Sequence, residues 1–328
     1  MAIRIGLVGY GGQFAMGKHH ADAIRATPGL EVHGVFDVDP ARRSAASEEQ
    51  PGAVIYDSYD QMLADDGVDL VVLITPHDTH APLSVQASRA GKHVVTEKVM
   101  CLNTKEADEM IEAAAAANRL LTVYQNRRWD GDYLTVRRVM ESGLLGEVFS
   151  IESSVNGWWF PAGWRGEKKR GGGMVYDWGA HLADQLVQLM LPSRPKQVFA
   201  TFHSGGHAVD IETQTTISVL FDNSVMAQID VGCVSHFTRP RWLVRGHSAA
   251  LKMPDWETAQ LKGVFSGVSG DLSVDVEKGK WANFYSNLSA HLNEGEKIAV
   301  DPAEVRIAIG ILEAAFESGR TGASVGVP

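Results

Sequence analysis

The feature that most constrains the fold is the junction Val8-Gly9-Tyr10-Gly11-Gly12, which follows the β-branched run Ile3-Arg4-Ile5-Gly6-Leu7-Val8 and precedes a helical stretch. Glycines between a strand and a helix let the main chain approach a pyrophosphate held at the helix N-terminus. Phe14 stands where the third glycine is expected. Gly17, in Gly17-Lys18-His19-His20-Ala21, takes that role if the loop carries about three extra residues. Gly9, Gly11, Gly12, Gln13 and Phe14 are therefore candidate phosphate contacts. Asp37 closes the next strand, where a carboxylate accepts hydrogen bonds from a ribose diol and repels a 2′-phosphate. That favours NAD, and Arg42 and Arg43 leave NADP open.

The first third alternates short apolar runs with amphipathic stretches, the pattern of a parallel sheet covered by helices on both faces. Strands are expected at 3–8, 31–36, 54–56, 70–74, 93–96 and 120–124, with helices at 17–26, 40–47, 59–64, 80–90 and 104–117. Beyond residue 124 the texture changes. A helix at 132–142 and a strand at 147–155 lead into a loop rich in tryptophan and glycine, then a helix at 176–190. From 197 to 252 strand follows strand, with Asp222-Asn223 as a hairpin turn, and a last helix is expected at 302–318. The fold class is thus α/β: a doubly wound N-terminal Rossmann domain, 1–125, and a C-terminal α+β domain with a large, mainly antiparallel sheet, 126–328. A length of 328 residues suits two cores.

A formal charge of −10 argues against a nucleic-acid surface, which needs clustered positive charge. Two cysteines, Cys101 and Cys233, make no disulfide framework in a chain of this size. With no signal-like N-terminus and no apolar stretch of spanning length, a cytoplasmic protein without a membrane partner is expected.

Thr75-Pro76 ends the fourth strand, His80 follows, and Gly91-Lys92-His93-Val94-Val95-Thr96-Glu97-Lys98 runs through the fifth. In the second half lies Gly171-Gly172-Gly173-Met174-Val175-Tyr176-Asp177-Trp178-Gly179-Ala180-His181. Together with the glycine turn, these marks resemble the Gfo/Idh/MocA family, named for glucose-fructose oxidoreductase, inositol dehydrogenase and a rhizopine-catabolism protein. The resemblance spans essentially the whole chain. It departs at Val99, where the family carries proline after Glu-Lys.

Oxidising a secondary alcohol needs a base for the hydroxyl proton, and histidine suits that near neutral pH. His181 is the candidate base. Lys98, at the carboxyl end of the fifth strand, supplies positive charge beside a forming alkoxide, with Glu97 holding it. Asp177, four residues before His181, orients the imidazole, binds a neighbouring hydroxyl or shares in proton transfer. The resemblance implies Lys98, Asp177 and His181 as the catalytic set. It also implies that Thr75, Pro76, His80, Glu97 and Asn126 line the cofactor. Arg127, Trp164 and Arg165 are substrate candidates, since aromatic faces stack on sugar rings; the same rings serve equally as core or oligomer contacts. Asp177, His181 and Asp184 also have a spacing compatible with metal ligands on one helix, but no metal is expected.

The function expected is NAD(P)-dependent oxidation or reduction of a sugar, cyclitol or related polyol. Two alternatives use the same apparatus: NAD-assisted glycoside cleavage without net redox, and a non-catalytic NAD or sugar sensor. The resemblance further implies a homodimer or homotetramer.

Overall fold

The computed structural model describes residues 2–11, 14–204 and 209–328. The chain divides into two compact units: Met1–Cys101 with Lys105–Gln125 and Ala282–Val305, and Leu102–Thr104 with Asn126–Trp281 and Arg306–Pro328.

Among the described residues the first unit carries a six-stranded sheet of β1 (Ile3–Val8), β2 (Leu30–Phe36), β3 (Val54–Ile55), β4 (Leu70–Leu73), β5 (His93–Thr96) and β6 (Leu121–Val123). The order is β3-β2-β1-β4-β5-β6, and every pairing is parallel. A parallel sheet buries both faces, which is why β4 reads Leu-Val-Val-Leu with all four residues buried. The connecting helices are α1 (Met16–Arg25), α2 (Pro40–Glu49), α3 (Tyr59–Ala64), α4 (His80–Arg89) and α5 (Thr104–Ala116). Asp39 and Ser58 cap α2 and α3 through side-chain oxygens that accept from Ala41 and Gln61 amides. The strand order reverses between β1 and β4, so the carboxyl ends of β1, β4 and β5 share the edge where doubly wound sheets hold ligands.

In the second unit, α6 (Gly131–Glu141) precedes β7 (Val148–Asn156), and α7 (Ala180–Met190) precedes β8 (Pro195–His203), β9 (Gln214–Phe221) and β10 (Met226–Gly232). Then come β11 (Trp242–Gly246), β12 (Ala249–Met253), β13 (Ala259–Phe265) and β14 (Val268–Val274). The Asp222-Asn223 turn forms as expected, with the Phe221 amide donating to the Val225 carbonyl at 3.0 Å. β9 shows strict alternation, burying Thr215, Ile217, Val219 and Phe221 on one face.

Helix α8 (Asn283–Glu294) packs beside β1 in the first unit and buries Phe284, Tyr285 and Leu288. Helix α9 (Pro302–Thr321) meets β8 through Phe316 and Phe202, 5.4 Å apart, and β15 (Val325–Gly326) closes one edge of the second sheet. That sheet runs β14-β13-β12-β11-β7-β10-β9-β8-β15, antiparallel except where β10 lies parallel to β7. No helix among the described residues is long and apolar enough to cross a membrane.

Candidate active site

The glycine turn has the shape its sequence requires. Gly9 adopts φ 94°, and a Cβ there would collide with the Ile74 carbonyl. Gly11 faces open space: beyond its chain neighbours, no atom of the described residues lies within 4 Å of the position its Cβ would take. Gly17 sits in the first turn of α1 against Tyr10, whose ring leaves no room for a side chain. This is the close-packing role expected of a third glycine, supplied later in the sequence. Helix α1 has no acidic residue in its first turn, which preserves its positive end for an anion. Phe14 is exposed, and it and Ala15 both have left-handed backbone. Gly12 and Gln13 lie outside the described residues.

Asp37 is buried, accepting from the Tyr10 amide at 2.5 Å on Oδ2 and from the Asp39 amide at 2.8 Å on Oδ1. It ties the end of β2 to the glycine turn, and each oxygen keeps a second lone pair for a ribose hydroxyl. The Arg43 guanidinium donates to the Asp37 carbonyl at 2.8 Å, while Arg42 is exposed. The open cradle at Gly11, the uncontested N-terminus of α1 and Asp37 beside them fit an NAD pyrophosphate and ribose.

At the ends of β4 and β5 the structure gathers Thr75, Pro76, His80, Glu97 and Lys98. The Thr79 hydroxyl bonds Thr75 Oγ1 and the Pro76 carbonyl. His80 is fully buried, with Nδ1 2.7 Å from the Val99 carbonyl and Nε2 2.9 Å from that of Thr75. Burial holds this imidazole below its ordinary pKa, against the opposing pull of the two carbonyls. The neutral ring therefore donates to one of them, and the Val99 contact is the shorter. The Lys98–Val99 peptide is cis. Glu97 holds Lys98 by its main chain: Oε2 accepts the Lys98 amide at 2.9 Å. Its other oxygen accepts from His20 Nε2 at 2.9 Å, and His20 Nδ1 lies 2.6 Å from the Tyr285 hydroxyl. Burial would raise the Glu97 carboxyl, but the His20 hydrogen bond, the Lys98 charge and the Lys98 amide carry it below the ordinary carboxylate value.

The second unit arranges the remaining candidates. After Gly173, at φ 106°, the chain makes a π-helical turn over Val175–Gly179 that runs into α7. This wider turn carries Asp177, and His181 follows in the first turn of α7; such turns recur at functional sites. The Arg165 Nε lies 3.8 Å from Asp177 Oδ1, and the guanidinium stacks over Trp164 at 4.4 Å. His181 is 5% exposed and meets the Trp178 ring edge-on at 6.1 Å. The other face of this cluster is Arg127, 4.3 Å over Trp178 and bonded to Asp130 at 2.8 Å. Asn126 begins the short 3₁₀ turn that presents Arg127. The structure thus joins Trp164 to Arg165 and Asp177, and Arg127 to Trp178 and His181. Asp184 is committed elsewhere, to Arg128. No group of three potential metal ligands occurs among the described residues.

Two residues escaped the sequence reading. Glu212 accepts the Val175 amide at 2.8 Å beneath the π-helical turn, and burial pushes its carboxyl up to about 7. His20, given no role from the sequence, is fully buried on α1. The signal was there: His20, Ala21 and Ile24 form the buried stripe of that helix.

Residues 3–125 match the model of an oxidoreductase family with an NAD-binding Rossmann fold, and residues 133–252 match the GFO/IDH/MocA C-terminal domain. An NAD-binding protein from Listeria innocua superposes with a TM-score of 0.91 at 35% identity, covering 99% of this chain and 97% of its own. The uncharacterized oxidoreductase YdgJ of Escherichia coli is 28% identical over 97% of this chain and 96% of its own length. The scyllo-inositol 2-dehydrogenase (NADP(+)) IolW of Bacillus subtilis is 24% identical over 97% of this chain and 94% of its own.

Proposed function

The chain belongs to the GFO/IDH/MocA family of NAD-binding oxidoreductases, and from that premise we propose that it oxidises or reduces a secondary alcohol of a sugar, cyclitol or related polyol. The observation that carries this reading is the place of Lys98. It follows β5 on the edge of the sheet that also carries the open Gly9–Gly11 turn after β1 and Thr75-Pro76 after β4. The similarity to a scyllo-inositol dehydrogenase supports the polyol class.

Bound NAD supplies the hydride acceptor. His181 accepts the hydroxyl proton, imidazole being the side chain best suited to general-base work near neutral pH. The Lys98 ammonium stabilises the alkoxide as it forms. Asp177 binds a neighbouring hydroxyl and, with Arg165 beside it, sets the orientation of the ring. Asp37 favours NAD over NADP at the ribose. The chain assembles as a homodimer or homotetramer, which light scattering at micromolar concentration tests.

The function is tested by incubating the protein with NAD or NADP and a panel of free sugars, inositols and aryl glycosides, following reduced cofactor and released aglycone together. Stoichiometric growth of reduced cofactor, abolished by Lys98→Met and His181→Ala, is the expected result. Aglycone release without reduced cofactor would overturn it in favour of glycoside cleavage.

A further inference from the structure

Lys98 lies just past the last residue of its strand. The β4 to β5 ladder ends at Leu73 and Thr96, and one further bond, from the Glu97 amide to the Leu73 carbonyl at 2.9 Å, closes it. Beyond that point the sheet no longer fixes the main chain, yet a lysine that stabilises charge at one atom needs a fixed root for its long side chain.

We propose that two buried histidines, His20 and His80, replace the missing ladder and position Lys98 from its two sides, His20 through Glu97 and His80 through Val99. On the amino side, the Tyr285 hydroxyl and His20 Nδ1 share a hydrogen bond at 2.6 Å and His20 Nε2–H donates to Glu97 Oε1 at 2.9 Å. Glu97 Oε2 then accepts the Lys98 amide at 2.9 Å. A carboxylate oxygen only accepts, so Nε2 carries the hydrogen that faces Glu97. On the carboxyl side, His80 Nδ1 lies 2.7 Å from the Val99 carbonyl and Nε2 2.9 Å from that of Thr75, so the ring ties the residue after Lys98 to the end of β4. His20 and His80 are both 0% exposed and Glu97 is 9% exposed, so the network sits where an unmatched polar group is costly. Apolar side chains would fill the same space without that cost, but they would not hold Glu97 and Val99 at fixed distances. His80, expected to line the cofactor, is instead 0% exposed with both nitrogens on main-chain carbonyls, and each histidine acts on Lys98 through another residue; both are positioning residues. Their functional meaning rests on the assignment of Lys98 to catalysis.

The test reads Lys98 directly in the full-length protein, with lysine side chains carrying ¹³C at Cε. The Lys98 NMR signal is identified by its loss in Lys98→Arg and followed with and without NAD. His20→Leu and His80→Leu are expected to shift and broaden it while the Lys18 and Lys92 signals stay in place. His20→Gln, which keeps a donor for Glu97, and His80→Asn, which keeps one for Val99, are expected to restore it. An unmoved Lys98 signal in the folded leucine variants, or no recovery with glutamine and asparagine, would overturn the proposal. If the leucine variants do not fold, Tyr285→Phe decides: it removes one hydroxyl, and a Lys98 signal identical to wild type counts against the network. Full turnover by Lys98→Met would sink the catalytic assignment alone, because the NMR comparison uses no turnover.

Discussion

The Arg128 guanidinium and the Asp184 carboxylate meet side-on, Nε to Oδ2 at 2.8 Å and Nη2 to Oδ1 at 2.7 Å, with side chains 6% and 1% exposed. This bidentate geometry consumes the carboxylate that the spacing of Asp177, His181 and Asp184 had offered to a metal. Asp184→Asn is expected to cost about 3–5 kcal/mol, since it leaves a buried cation without its counter-charge. Urea unfolding measures it, and added zinc or magnesium should not change the wild-type midpoint.

Gly9 and Gly11 separate folding from binding in one turn. Gly9→Ala puts a methyl group against the Ile74 carbonyl at a backbone angle that disfavours side chains, and is expected to lower stability by about 2 kcal/mol or more. At Gly11 a Cβ would meet no atom of the described residues beyond its chain neighbours, so the melting temperature of Gly11→Val should stay near wild type. The valine fills the cradle instead, and NAD affinity measured by calorimetry should fall at least roughly tenfold, a loss of about 1.4 kcal/mol.

Glu212 makes stability depend on pH at the base of the π-helical turn. Its carboxyl titrates near 7 in the fold against an ordinary value of 4.5, so the folded state binds the extra proton between those limits. Its contribution is complete below about 4.5 and is lost as pH rises through 7. Glu212→Gln keeps an acceptor for the Val175 amide and never ionises. Its melting temperature should therefore gain on wild type as pH rises from 4.5 to above 7; a constant gap would refute this.

His93 acts in the opposite sense. Burial, with Arg119 nearby, holds its imidazole down to about 4, and Nδ1 accepts the Leu120 amide at 2.8 Å. Stability from this group is present above 6.5 and falls as pH drops toward 4. His93→Asn retains an acceptor in the same place, so thermal melts from pH 7 to 4 should decline less steeply than those of wild type.

What the sequence disclosed follows from range. β1 and β5 were legible to the residue, because each is a short run rich in β-branched residues set off by nearby glycines, Gly9 after β1 and Gly91 before β5. The glycine turn and Asp37 were legible for the same local reason. The strands β13 and β14 were not, because Gln260, Lys262, Val264, Val268 and Leu272 leave much of that hairpin exposed and blur the alternation. The widening of the helix before His181 has no local signature, and the Glu212 carboxylate that takes its first amide, that of Val175, lies 37 positions away. His20 could be placed on a buried stripe but not given partners, since Glu97 and Tyr285 lie 77 and 265 positions away.

The return of Ala282–Val305 to the first unit has a consequence for how the protein is made. A ribosome that has just released Gln125 has delivered every strand of the nucleotide-binding sheet, but not Phe284, Tyr285 or Leu288, which α8 buries in that unit. Until most of the chain has been synthesised, His20 lacks its hydroxyl partner and Tyr124 lacks the Phe284 ring 4.7 Å away. The half that emerges first is therefore completed last, and a fragment cut at residue 125 would expose an apolar surface that invites aggregation.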